Sequence, residues 1–331
     1  MHLCFFNNNK KNQVNTEKTK QKAELRSTLI GMIGPIFWGT TPSLIILSGD
    51  VPVFQMTSMM FFCASLLSLA LLSVKRIPPL ALLKQKKIKQ YLLLSLIGIF
   101  GINFLYIFAL RLAPAGEAFL LLNTWQIISM LIAAKQSKNP LQSHEKIALL
   151  LCITGIVFLA ETQSKTMGHS LTIGHAAALL AAFCWAFYST QSARYNSVKS
   201  ETLGLVFIIS SALAALLHFI FEPQTIFPQT NSLFYIITLG LLPSGSAYIA
   251  WKHGIRHGNI RILSLLSYIG PLSAIFWLSF LNIIKLDFSF LAAFIFIFSG
   301  AVIGSKPRSA LSILTRKSNK TSTSSPKSYT P

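Results

Sequence analysis

Ten apolar segments alternate with short polar gaps along the chain, at 27–48, 52–74, 91–111, 115–134, 146–161, 172–193, 202–221, 232–251, 262–283 and 287–304. The run Leu29–Leu47 carries no charge over 19 residues. That exceeds what a core helix needs and matches the length of a bilayer crossing. The pattern therefore predicts an all-α integral membrane protein with ten transmembrane helices. Polar tails flank the segments. Residues 1–26 are rich in lysine and lack the apolar stretch of a cleavable signal peptide. Residues 305–331 are rich in Ser, Thr, Lys and Pro, a composition that predicts disorder.

The segments repeat at an offset of about 145–147 residues. Trp38 in the first corresponds to Trp185 in the sixth, and Ala109–Pro114 lines up with Gly254–Asn259. The same register sets Gln126 against Pro271. The halves are thus 27–161 and 172–304, with five spans each. Five is odd, so the second half enters the membrane in the opposite sense to the first. Inverted repeats are the architecture of secondary transporters, with substrate held near the midplane where the halves meet. This symmetry favours transport over a membrane scaffold or an intramembrane enzyme.

Charge changes the picture by giving it a direction. The net charge is +20, yet only 11% of the 331 residues are charged and 52% are hydrophobic. Of the 29 Lys and Arg residues, 26 lie in the two tails or in every second gap; only Arg111, Lys165 and Lys285 lie on the other side. Short basic loops stay cytoplasmic, so both termini are expected inside, in a multi-pass cytoplasmic-membrane protein. Corresponding loops carry opposite bias, as inversion requires: six positive residues between the second and third spans, none in Glu222–Asn231. The basic residues read as topogenic and lipid-facing, and no basic stripe interleaved with aromatics suggests a nucleic acid. Membrane lipids and a small-molecule substrate are the expected partners. No cofactor, metal site, disulfide or ATPase subunit is expected, since no P-loop, ligand cluster or paired cysteine spacing occurs.

Candidate pathway residues are those that hydrocarbon does not explain. Trp38, Trp125 and Trp185 fall near mid-span, away from the interface that tryptophan prefers. Trp251, at the end of the eighth span, reads as an interface anchor. Asn123 and Gln126 flank Trp125, and their amides require partners inside the bundle. Glu117 could carry a proton, or it could sit at the outer interface paired with Arg111; His218 is a second titratable candidate. Helix breaks at Pro42 (with Pro35), Gly245 (in Pro243-Ser244-Gly245) and Gly270-Pro271 free carbonyls where a backbone lines a cavity or bends in gating. Small residues at Gly31/Gly34, Gly98/Gly101 and Ala177/Ala181 suit close helix approach.

The Pro35-x-x-Trp38-Gly39 helix, the Ala109–Ala115 turn and its second-half counterpart resemble the drug/metabolite transporter superfamily, of the EamA type, over about 27–304. Ala247-Tyr248-Ile249-Ala250-Trp251, then His257-Gly258-Asn259 and Ser267-Tyr268-Ile269-Gly270-Pro271, is similar to its aromatic amino acid exporter branch. Cys184–Tyr188 is similar to the sixth helix of that branch. Thr124-Trp125-Gln126 departs from its Leu-Trp-Pro, and the turn at Pro114–Glu117 is shorter. The resemblance implies that Trp38, Trp125, Trp185, Tyr248 and Tyr268 face a central cavity. It further implies transport of amino acids, or of a derivative such as S-adenosylmethionine or a nucleotide-linked metabolite.

Overall fold

Among the described residues of a computed structural model of the chain, a helix lies in each of the ten predicted segments. The structure describes the backbone of 2–136, 141–166, 172–195, 197–259, 263, 267 and 269–304, and the side chains of 19, 21–136, 141–156, 158, 172–192, 194–195, 197–259, 263, 267, 269–288 and 290–304. Tyr268 and the tail 305–331 lie outside the described residues. The helices are α1 (His2–Leu47), α2 (Val53–Val74), α3 (Ile88–Leu112), α4 (Ala115–Gln136), α5 (Ser143–Thr166), α6 (Ile173–Ser192), α7 (Leu203–Phe221), α8 (Thr230–His257), α9 (Ile269–Phe280) and α10 (Phe288–Gly304). No strand occurs among the described residues. Seven helices are long and apolar enough to cross a membrane: Gln21–Leu47 of α1, α2, α3, α4, α6, Ser200–Phe221 containing α7, and α8. Ile269–Phe280 and Phe290–Gly304 are shorter apolar helices.

Large apolar side chains cover the outside. Leu93, Phe219, Phe234 and Phe288 are each more than 60% exposed, a surface that water would not tolerate and lipid tails would. Inside, the packing partners follow a rule. α1 packs on α8 and α9; α6 packs on α3 and α4; α2 packs on α7, and α5 on α10. Advancing each helix by five positions reproduces the same set of pairs.

Close approach in the bundle depends on missing side chains. A Cβ on Gly31 would lie 2.8 Å from the Gly254 Cα, so α1 and α8 cross backbone to backbone. Gly98 on α3 lies directly against the Tyr188 ring of α6. Among the described residues three of the spans are not regular α-helix: α4 is interrupted at Asn123 and Thr124, between Ala115–Leu122 and Trp125–Gln136. α3 widens into a π turn at Leu96–Phe100, and α8 does so at Gly240–Ser246, where Pro243 supplies no N–H. These turns lie about one repeat offset apart.

The two ends of the bundle are tied differently. At one end Lys75 meets Glu201 at 2.8 Å, and Gln85 bonds Thr202 and the Lys199 N–H, joining the α2–α3 and α6–α7 connections. At the other, Glu222 accepts the Phe54 and Gln55 N–H groups at 2.7 and 3.0 Å. That carboxylate satisfies the free donors at the start of α2.

Candidate functional site

Trp38 sits in the middle of α1, between Pro35 and Pro42. Neither proline has an N–H, so the carbonyls of Gly31 and Trp38 lose their helical donors. The Trp38 indole N–H donates to the Pro243 carbonyl at 3.0 Å, within the π turn of α8. Three rings meet it edge-to-face: Trp185 at 5.8 Å between centroids, Tyr248 at 5.4 Å and Trp251 at 5.5 Å. Trp125 from α4 meets Trp185 at 6.3 Å. Edge-to-face packing fixes ring planes without stacking them shut.

These rings wall a cavity of about 830 Å³. α4 also contributes Asn123 and Gln126 to its wall. Asn123 donates to the Phe119 carbonyl at 2.8 Å, while the Gln126 Oε1 and the Tyr106 hydroxyl are buried without a partner among the described residues. Among the lining residues only Ile255 and Arg256 are exposed, and both sit at the C-terminal end of α8. The cavity therefore opens at the end where α6 leads into α7 and α8 into α9. The opposite end is closed. There Arg111 donates to the Val51 carbonyl at 3.3 Å and approaches Asp50 at 3.6 Å, while Phe54 stacks on Phe104 at 4.5 Å.

Trp38, Asn123, Trp125, Gln126, Trp185 and Tyr248 all line this one cavity, as do Pro42, Gly270 and Pro271. Pro271 lies in the first turn of α9, where a missing N–H costs little. Gly245 does not line the cavity; it packs against Leu67 and Ala64 of α2. Glu117 also lies outside the cavity, and its expected pairing with Arg111 is corrected. It faces α6 and meets His175 Nε2 at 2.7 Å, both side chains being buried. Arg111, at the far end of α3, turns to the α1–α2 connection instead. His218 is likewise away from the cavity: Nδ1 meets Glu222 at 2.6 Å and Nε2 meets Thr225 at 2.8 Å. It orients the carboxylate that caps α2.

Trp251 requires a second correction, from interface anchor to cavity wall. α8 runs to His257, beyond the predicted end at 251, so Trp251 lies inside it. Tyr248, Trp251, Lys252 and Ile255 fall at helical spacings of three, four and seven, and all four line the cavity. That spacing was a signal available in the sequence. Asn103, which donates to the Tyr248 hydroxyl at 3.2 Å, had one too, since the pair is 145 residues apart. Tyr188 had the same mark, three residues beyond Trp185 on α6, whereas Tyr91 carried none. Among the described residues no Asp or Glu lines the cavity, and no group of three His, Cys, Asp or Glu could hold a metal ion.

The family whose pattern the chain matches does so twice, as an EamA-like transporter family over 25–160 and again over 172–305. An aromatic amino acid exporter YddG of Ancylobacter novellus is 30% identical over 247 residues, covering 74% of this chain and 85% of that protein. The exporter of the same name from Salmonella typhimurium is 25% identical over 303 residues, covering 86% and 97%. A protein of known crystal structure superposes with a TM-score of 0.66 at 26% identity, covering 89% of this chain and 99% of that one. Apolar helices and transporter relatives together make this a multi-pass membrane protein. The chain belongs to the EamA-like transporter family.

Proposed function

We propose that the chain is a secondary transporter of small organic metabolites, with aromatic amino acids its leading substrates, and not an enzyme. It crosses the cytoplasmic membrane ten times, as two inverted five-helix repeats (27–161 and 172–304) with both termini inside. Substrate sits among Trp38, Trp125, Trp185 and Tyr248, with Asn123 and Gln126 giving polar contacts and Tyr268 joining them. The halves rock about this cavity by alternating access.

The observation that carries the reading is that corresponding residues of 27–161 and 172–304 touch each other. Trp38 and Trp185 are in ring contact, and Asn103 bonds Tyr248. Ser58 and Ser211 exchange reciprocal hydrogen bonds, each hydroxyl donating to the other's carbonyl at 3.0 Å. Residue i meeting j while j meets i is the mark of a two-fold axis. The offset there is larger because the α6–α7 connection is longer than the α1–α2 connection. A site on such an axis is reached equally from either side of the membrane, which a carrier needs and a scaffold does not. The cavity mouth lies at the basic end, so this state opens to the cytoplasm.

The relatives are named as aromatic amino acid exporters, and the ring-lined cavity suits an aromatic side chain. A sulfonium cargo such as S-adenosylmethionine is less well served, because no carboxylate lines the cavity among the described residues. The test is exchange of labelled phenylalanine or tryptophan by reconstituted vesicles. Wild-type protein exchanges label well above empty vesicles, and Trp125→Ala loses about tenfold or more. Exchange equal to that of empty vesicles, with Trp125→Ala indistinguishable from wild type, sinks the reading.

A further inference from the structure

We infer that Lys252 and Arg256 form the anion-recognising end of the cavity, so that the carrier selects aromatic carboxylates and rejects the corresponding amines. This rests on the transport reading and adds the polarity of the substrate to it. Both cations follow Tyr248 on the cavity face of α8, four residues apart and therefore neighbours on one helix surface. By position in the chain they belong with the topogenic residues of a basic loop. By geometry they do not, since α8 continues past them and carries both into the cavity wall.

Their charge is unbalanced. Lys75 has Glu201 and Arg111 has Asp50. Among the described residues neither Lys252 nor Arg256 has a carboxylate partner. Lys252 lies over the Tyr91 ring at 4.7 Å, and its Nζ donates to the Tyr91 hydroxyl at 2.8 Å. That neutral contact holds the ammonium in place and leaves two of its three donors free. Arg256 brings a planar guanidinium suited to bidentate carboxylate binding. A half-buried cation without a counter-ion favours an incoming anion and repels an incoming cation. Beyond the cations the wall is aromatic, with Trp251 and Trp38 next along the cavity. An aromatic acid fits this order, with its carboxylate at the mouth and its ring among the tryptophans. The α-amino group is then an addition that the Asn123 and Gln126 oxygens accept, not the group that selects.

The experiment is competition against labelled phenylalanine exchange in vesicles holding the full chain, using 3-phenylpropanoate, which lacks the amino group, and 2-phenylethylamine, which lacks the carboxylate. Quenching of the cavity tryptophans reports binding independently of transport. The acid competes and quenches, whereas the amine does neither at tenfold higher concentration. Lys252→Gln and Arg256→Gln each weaken the acid roughly tenfold to a hundredfold, and Lys252→Arg restores most of it. An amine that competes as well as the acid overturns the inference, as does an acid unaffected by both glutamine variants. If phenylalanine itself neither binds nor exchanges, the transport reading fails and this one with it.

Discussion

At the scale of single residues, the indole of Trp38 combines two roles that can be separated. Its N–H holds the Pro243 carbonyl, and its ring touches three other rings. Trp38→Phe keeps a ring and loses the hydrogen bond, so it lowers stability by about 1 kcal/mol and leaves substrate quenching detectable. Trp38→Ala removes the ring as well and abolishes binding. Thermal unfolding in detergent with fluorescence titration separates the two, and equal behaviour of the variants contradicts the assignment. Glu222 is the opposite case, a polar residue with a structural role. Glu222→Ala leaves two donors of α2 and the His218 Nδ1 unpartnered and costs about 2 kcal/mol, while the affinity for substrate stays at the wild-type value. Loss of affinity without loss of stability would instead bring His218 and Glu222 into the transport mechanism.

Elements show where the sequence was legible. Mid-span tryptophans and the amides beside them pointed to the cavity, because hydrocarbon has no other use for them. Trp251 was misplaced because a hydropathy run stops at the first charges, whereas a helix whose charges line a cavity does not. Glu117 was matched to Arg111 by nearness in the chain, but its partner His175 is 58 residues away on α6, and only packing reveals that. The π turns were half visible: Pro243 and Gly245 marked one, and nothing but glycine marked the other. They have a mechanical role. A π turn absorbs one residue more than an α turn, so an alanine added between Ser246 and Ala247 exceeds that allowance and rotates the remainder of α8 by about 100°. Tyr248, Trp251 and Lys252 then leave the cavity. Such an insertion variant enters the membrane and neither binds nor exchanges substrate. Retained exchange would mean that the turn does not set the register of α8. Gly240→Ala tests the packing beside it. Its Cβ would lie 2.5 Å from Cys63 and from the Met60 carbonyl, so overpacking lowers stability by about 1–3 kcal/mol, read in the same unfolding assay.

For the whole molecule, the account we propose is of two halves of opposite orientation, meeting at a cavity that opens on one side at a time. The closed end is held by Arg111 on the Val51 carbonyl. Their equivalents at the open end, Arg256 and Val198, both line the cavity. Side-specific accessibility of the mouth tests this account most directly. With Cys4, Cys63, Cys152 and Cys184 replaced by serine or alanine, a single cysteine at Ser192, which lines the cavity near its mouth, is treated with a membrane-impermeant thiol reagent. The account predicts fast modification in inside-out vesicles, slow modification in right-side-out vesicles, and protection by saturating phenylalanine. Equal modification from both sides, or a rate that phenylalanine leaves unchanged, would contradict it.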